Sequence, residues 1–127
     1  MPITWWRGVG PTHNVFVVES FMDELAHAVG KDPIEYRLGL LDKNPRSVAV
    51  LKRAAELADW GKPLPKGMGR GVSLHNAFGS FVAAVVEIEV PPTGEIRLRK
   101  VVGVIDCGLT INPDGVKAQM EGGWCLG

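Results

Sequence analysis

Apolar residues in the first half of the chain recur at intervals of three and four. Across residues 14–29 the set Val15, Val18, Met22, Leu25, Ala26 and Val29 marks one stripe of a helix, with Glu19, Asp23 and Glu24 on the other side. Gly30 supplies its stop. A second helix opens at Asp32-Pro33-Ile34-Glu35, where Asp32 caps, Pro33 takes the first helical position and Glu35 completes a capping box. It is expected to end near Leu41 or Asp42. A third opens at Asn44-Pro45 and carries Val48, Leu51, Ala54, Ala55 and Ala58 to Trp60-Gly61. Three apolar stripes then need a surface to bury against.

The second half supplies it. After the breaker-rich linker at residues 61–67, three strands are expected at about residues 69–76, 81–90 and 95–105, the last two joined by a hairpin turn at Pro91-Pro92-Thr93-Gly94. The middle strand is apolar on both faces at residues 82–86, which makes it the central one. The predicted fold class is α+β: a layer of two or three helices on a small, mainly antiparallel sheet of about three strands, followed by a C-terminal helix. Residues 1–61 form a loop-and-helix half and residues 62–127 a strand half with the last helix, together one domain.

That last helix starts clearly at Asn112-Pro113-Asp114, with a cap, a proline at the first position and an acid at the positive end of the dipole. It carries no stop signal. The pattern runs through Gly122-Gly123 into apolar Trp124-Cys125-Leu126, and a glycine pair inside a helix costs ~1 kcal/mol per residue relative to alanine. The pair therefore implies a close approach by something or the end of the helix.

Composition narrows the class without fixing it. Among 127 residues, 46% hydrophobic and 22% charged, 14 basic residues balance 14 acidic ones. That neutrality argues against nucleic acid and anionic membrane as partners, and it lowers the barrier to self-association. No apolar run reaches the ~20 residues of a membrane span, and Met1-Pro2-Ile3-Thr4-Trp5-Trp6 lacks the plan of a signal peptide. A cytoplasmic location is the expectation. Cys107 and Cys125 are too few for a disulfide framework or an iron–sulfur cluster and lack metal-ligand spacing.

The remaining chemistry is thin when taken residue by residue. The glycines at positions 67–71 and 79 have no following Lys-Ser/Thr and no βαβ context, so they make no phosphate loop. His75, near Asn76 and Ser80, pairs with no nucleophile at a recognisable spacing and reads as a bonded strand-edge histidine. Glu87, Glu89 and Glu95 read as a solvated face opposite Arg97, Arg99 and Lys100.

Three separated motifs carry more information. They are Trp6-Arg7-Gly8-Val9-Gly10-Pro11, the glycine-rich stretch at residues 67–83, and Asp106-Cys107-Gly108 followed by Asn112-Pro113 and Gln119-Met120-Glu121-Gly122-Gly123. In this order they resemble the molybdopterin-binding large subunit of the molybdenum hydroxylases, the xanthine dehydrogenase family, on the isoquinoline 1-oxidoreductase β-subunit and aldehyde dehydrogenase branch. The resemblance covers almost the whole chain. It implies that Gln119, Gly122, Gly123 and Arg7 face the pterin cofactor and that Trp6, Arg7 and Val9 line the substrate pocket. Val9 departs from the aromatic residue that xanthine-type members place there, which favours an aldehyde or another N-heterocycle as substrate.

The resemblance also implies what the chain does not do alone. The family's general base is a glutamate in a Gly-Glu-Pro-like motif downstream of the Gln-x-Glu-Gly-Gly segment, and Glu121 belongs to a different motif. A fragment of a molybdenum-dependent oxidoreductase is expected, with no catalytic residue, no metal ligand and no cofactor held by this chain alone. The resemblance implies an iron–sulfur small subunit as partner and leaves a periplasmic parent enzyme open. The alternative is a free-standing truncated domain that oligomerises or binds a small ligand, with self-association through Trp124 and Leu126. A degenerate reading frame with no selected role is the third reading.

Overall fold

A computed structural model describes residues 8–126 of the chain. The elements run α1 (Pro11–Ala28), α2 (Pro33–Leu38), α3 (Pro45–Leu57), β1 (Met68–Ala77), β2 (Ser80–Glu89), β3 (Arg97–Asp106) and α4 (Pro113–Leu126). Each helix opens on a proline, whose missing N–H would have had no partner there. Caps precede three of them. Asp32 accepts from the Ile34 and Glu35 amides at 2.8 and 3.1 Å, Asn44 from Ser47 at 3.2 Å, and Asn112 from Gly115 at 3.0 Å.

The sheet is antiparallel in the order β1-β2-β3, so the apolar β2 is central as its sequence requires. Opposed residues in an antiparallel ladder share a face. Val72, Val85 and Val102 stand in one row and Leu74, Ala83 and Val104 in the next, and both rows face α3. Val50, Leu51 and Ala54 of α3, its C-cap Ala58 and Ile34 of α2 close that core. The other face carries Gly71, Ser73, Ala84 and Gly103, small residues that leave room above the sheet.

Several boundaries shift for physical reasons. α1 begins at Pro11 because Gly10 itself adopts helical angles and its carbonyl accepts the Asn14 amide at 3.2 Å. α2 ends at Leu38, before the expected Leu41 or Asp42. From there Leu40 and Leu41 bond three residues back, and Pro45 disfavours helical geometry at Asn44. β3 begins at Arg97 instead of residue 95, and a bulge inserts Arg99 between the Glu87–Lys100 and Ile88–Leu98 pairs.

The inward face of α1 also differs from expectation. Val18 and Val29 are exposed, while Glu19 and Asp23 turn toward the protein. Arg37 causes this. Its side chain is only 2% exposed, and it donates to Glu19 at 3.1 Å, to Asp23 at 2.6 Å and to the Glu19 and Pro33 carbonyls at 3.0 Å. A buried guanidinium needs anions beside it, and these two carboxylates override the apolar stripe.

Glu87 is likewise not on a solvated face. It pairs with Arg70 at 2.8 Å, both nearly buried, and Arg70 also donates to the Asp59, Trp60 and Lys62 carbonyls that follow α3. Glu89 and Glu95 do reach solvent, where they pair with Arg99 and Arg97.

Candidate functional site

A cleft of about 990 Å³ lies over the small-residue face of the sheet. α1 lines it through Pro11, Val15, Phe16 and Ser20, and Gly8, Gly123 and Trp124 line it too. Its floor is Gly71, Ser73, Ala84 and Val86. The structure therefore brings the first and last sequence motifs to one place. The volume lies at the upper end of the ~300–1,000 Å³ range of ligand and cofactor sites.

Gly8 at this cleft and Gly103 beside Trp124 owe their identity to close approach. A Cβ on Gly8, whose φ is 94°, would lie 2.4 Å from the Thr12 hydroxyl oxygen. A Cβ on Gly103 would lie 2.0 Å from the Trp124 ring, so the indole can rest on the sheet only because residue 103 has no side chain. Trp124 is thereby turned onto its own sheet and is 37% exposed.

At the rim, the hairpin between β1 and β2 has a two-residue turn, Phe78-Gly79, with φ of 51° and 80°. Both residues are left-handed, as a type I′ turn requires, and a bulky residue is strained there. The result is a Phe78 ring held in solvent beside the cleft, 84% exposed.

The other expected site residues are dispersed. Val9 is half exposed with φ of 51° and does not line the cleft. Trp6 and Arg7 lie outside the described residues. Gln119 is exposed on α4 and faces a separate shallow cleft with Cys107 and Asn112. Gly122 and Gly123 are helical, so the pair does not terminate α4, and a Cβ on either would meet nothing within 4 Å. His75 sits within β1, and its buried Nε2 has no hydrogen-bond partner among the described residues, so it is not the bonded edge histidine expected.

The Asp106-Cys107-Gly108 motif is fixed by a residue that sequence reasoning passed over. Arg46 donates to both Asp106 carboxylate oxygens at 2.7 Å, to the Asp106 carbonyl at 3.3 Å and to the Gly79 carbonyl at 3.4 Å, and it stacks 4.3 Å over the Phe81 ring. Together with the Gly108 amide, 3.0 Å from Asp106 Oδ1, this holds the Asp106 carboxyl well below the usual carboxylate range, at about 2. The same pairing raises the Arg46 pKa. A cation in the first turn of a helix opposes the dipole, and that misplacement was the available signal.

The sequence pattern of the molybdopterin cofactor-binding domain matches residues 48–127. The chain belongs to that family. It is 38% identical, over 94% of its length, to one subunit of the nicotinate dehydrogenase of Pseudomonas putida, and 34% identical over 95% to the isoquinoline 1-oxidoreductase β-subunit of Brevundimonas diminuta. A membrane-bound aldehyde dehydrogenase of Gluconacetobacter polyoxogenes, whose name carries pyrroloquinoline quinone, is 33% identical over 93%. The chain spans only 12%, 16% and 18% of these relatives. No solved structure matches it.

Gln119 and Gly123 line separate clefts, with an exposed amide at one and open backbone at the other. An exposed amide at Gln119 can read a pterin edge, and the uncovered backbone at Gly122 and Gly123 leaves space for a flat group. No lysine or arginine lines the large cleft or the one beside Gln119, so the phosphate finds no counter-charge among the described residues there. Nor do the described residues contain a metal-binding cluster of His, Cys, Asp or Glu.

Proposed function

We propose that this molybdopterin cofactor-binding domain supplies part of the cofactor and substrate pocket of a molybdenum-dependent oxidoreductase that hydroxylates an aldehyde or an N-heterocycle, and that it does not turn over alone. The observation that carries the reading is the single cleft joining Gly8, α1 and Gly123 over a floor of small residues. Gln119, Gly122, Gly123 and Arg7 would hold the pterin, and Trp6, Arg7 and Val9 would border the substrate. When bound, the molybdenum and pterin supply the two-electron chemistry. The chain's own contribution is to orient the group and exclude water through the Trp124 and Phe78 rings. The reading retains an iron–sulfur small subunit as partner and a cytoplasmic location. No described helix is long and apolar enough to cross a membrane.

The test replaces the matching segment of the isoquinoline 1-oxidoreductase β-subunit with this chain. Molybdenum content and isoquinoline oxidation should survive the exchange, Gln119→Ala should lower the molybdenum content, and the isolated chain should oxidise none of nicotinate, isoquinoline and aldehydes. Full molybdenum content in the Gln119→Ala chimera, turnover by the isolated chain, or binding of pyrroloquinoline quinone in place of molybdopterin would overturn it.

Self-association is the second reading, and the exposed Phe16, Val17 and Phe21 of α1 favour it. Light scattering should show concentration-dependent dimers that Phe16→Asp with Phe21→Asp abolishes; a wild-type chain that stays monomeric at every concentration removes the reading.

A further inference from the structure

The two edges of the sheet are finished differently. α1 covers the β1 edge, where Glu19 Oε2 accepts the Leu74 amide at 2.8 Å. The β3 edge has no equivalent. Among the described residues, no backbone hydrogen bond from residues 97–106 goes to any element except β2, and only the terminal Asp106 carbonyl is taken, by Arg46. In an antiparallel edge strand, alternate residues point both N–H and C=O outward, so residues 101–105 present unpaired backbone groups.

Natural edges are blunted by charge, proline, a bulge or shortness. Arg97, Arg99 and Lys100, with the bulge at Arg99, blunt the first half of β3. The second half, Val101-Val102-Gly103-Val104-Ile105, carries none of these devices. α4 runs beside it without sealing it. Between them lies a groove of about 640 Å³ walled by Leu57, Val101, Ile105, Val116, Met120 and Trp124. At its rim Lys117 and Glu121 pair at 3.8 Å, so the groove presents no net charge.

A helix standing beside a free strand edge is an arrangement in which an extended segment can add as a new strand. We propose that this groove takes an extended, uncharged, apolar segment of the larger polypeptide as a fourth strand on β3. The relatives place most of their length outside the part that this chain matches, so a donor strand is available within one polypeptide. Recognition rests on main-chain hydrogen bonds to residues 101–105 and on small apolar side chains against Ile105 and Met120. A charged strand would leave its charge unpaired against the apolar wall.

The experiment is amide hydrogen exchange on the 127-residue chain with a short blocked peptide of alternating threonine and valine. At a free peptide concentration about ten times Kd, exchange at alternate amides within residues 101–105 should slow about tenfold, following 1 + [L]/Kd, with β1 amides unchanged. The same peptide N-methylated at alternate residues should have no effect, and Val101→Lys should abolish the protection. Equal slowing by the N-methylated peptide, slowing spread over β1, or none at saturation overturns the proposal. So does protection of these amides that rises with protein concentration alone, since the edge would then be covered by a second copy.

Discussion

Arg46 and Asp106 lie sixty residues apart in sequence, yet Nε and Nη2 of one meet both carboxylate oxygens of the other at 2.7 Å. This pair joins the start of α3 to the end of β3, and the stacked Phe81 and the Gly79 carbonyl add β2 and its hairpin to the same guanidinium. The loop that leads into α4 is thereby anchored to the helical layer. Both side chains remain about a third or more exposed, which moderates the strength of the pair.

The pH dependence follows from Asp106. Its folded pKa of about 2 lies below the ordinary ~3.9, so its contribution to stability is complete above the ordinary value and is lost as pH falls toward 2. Arg46→Met should lower Tm at neutral pH by a few degrees. The difference between wild type and variant should shrink between about pH 4 and pH 2. Thermal melts followed by circular dichroism across that range test this, and a difference that stays constant down to pH 2 contradicts it.

Arg37 is the more costly residue to remove. Arg37→Ala leaves Glu19 and Asp23 facing a vacated, partly buried space, and breaking a buried pair on one side costs ~3–5 kcal/mol. Glu19→Gln should cost less, because the amide oxygen can still accept the Leu74 N–H. Urea unfolding should rank the two variants in that order, with Arg37→Ala shifting the midpoint further.

Gly103 and Trp124 form a pair that a double-mutant cycle can isolate. Gly103→Ala places a methyl group where the indole sits, and overpacking of this kind costs ~1–3 kcal/mol. In a Trp124→Ala background the same substitution should be nearly neutral, giving a coupling energy of ~1 kcal/mol or more. Additive effects would mean that α4 does not rest on the sheet through this ring.

The parts of this architecture that could be read from sequence are those governed by neighbouring residues. Asp32-Pro33, Asn44-Pro45 and Asn112-Pro113 each announce a helix because cap and proline act within one turn. The doubly apolar β2 announces a central strand because burial on both faces leaves no polar side. Arg37 and Arg70 gave no such sign, and Arg46 only its place in the first turn of α3. Each is defined by carboxylates or carbonyls from other elements, 14 to 18 residues away for Arg37 and sixty for Arg46. Glu19 shows the consequence: helical periodicity put it on the outer face, and the distant guanidinium together with the Leu74 amide drew it in. The candidate site divides in the same way. Its glycines were visible as a motif, while their meeting across the cleft depends on how α1 and α4 flank the sheet.

Phe78 offers the clearest gain in stability. Its φ of 51° lies in the left-handed region, which costs a bulky residue ~1–3 kcal/mol, and its ring is exposed and gives little burial in return. Asparagine tolerates that conformation and is preferred before glycine in a type I′ turn. Phe78→Asn should therefore stabilise the chain by ~1 kcal/mol while leaving the antiparallel register of β1 and β2 unchanged. Denaturant unfolding measures the first, and cross-strand backbone contacts by NMR the second. If the substitution also weakens retention of molybdenum in the isoquinoline 1-oxidoreductase chimera, the strain at residue 78 serves to hold an aromatic ring at the mouth of the cleft. If stability rises and metal content is unchanged, the ring has no part in holding the cofactor.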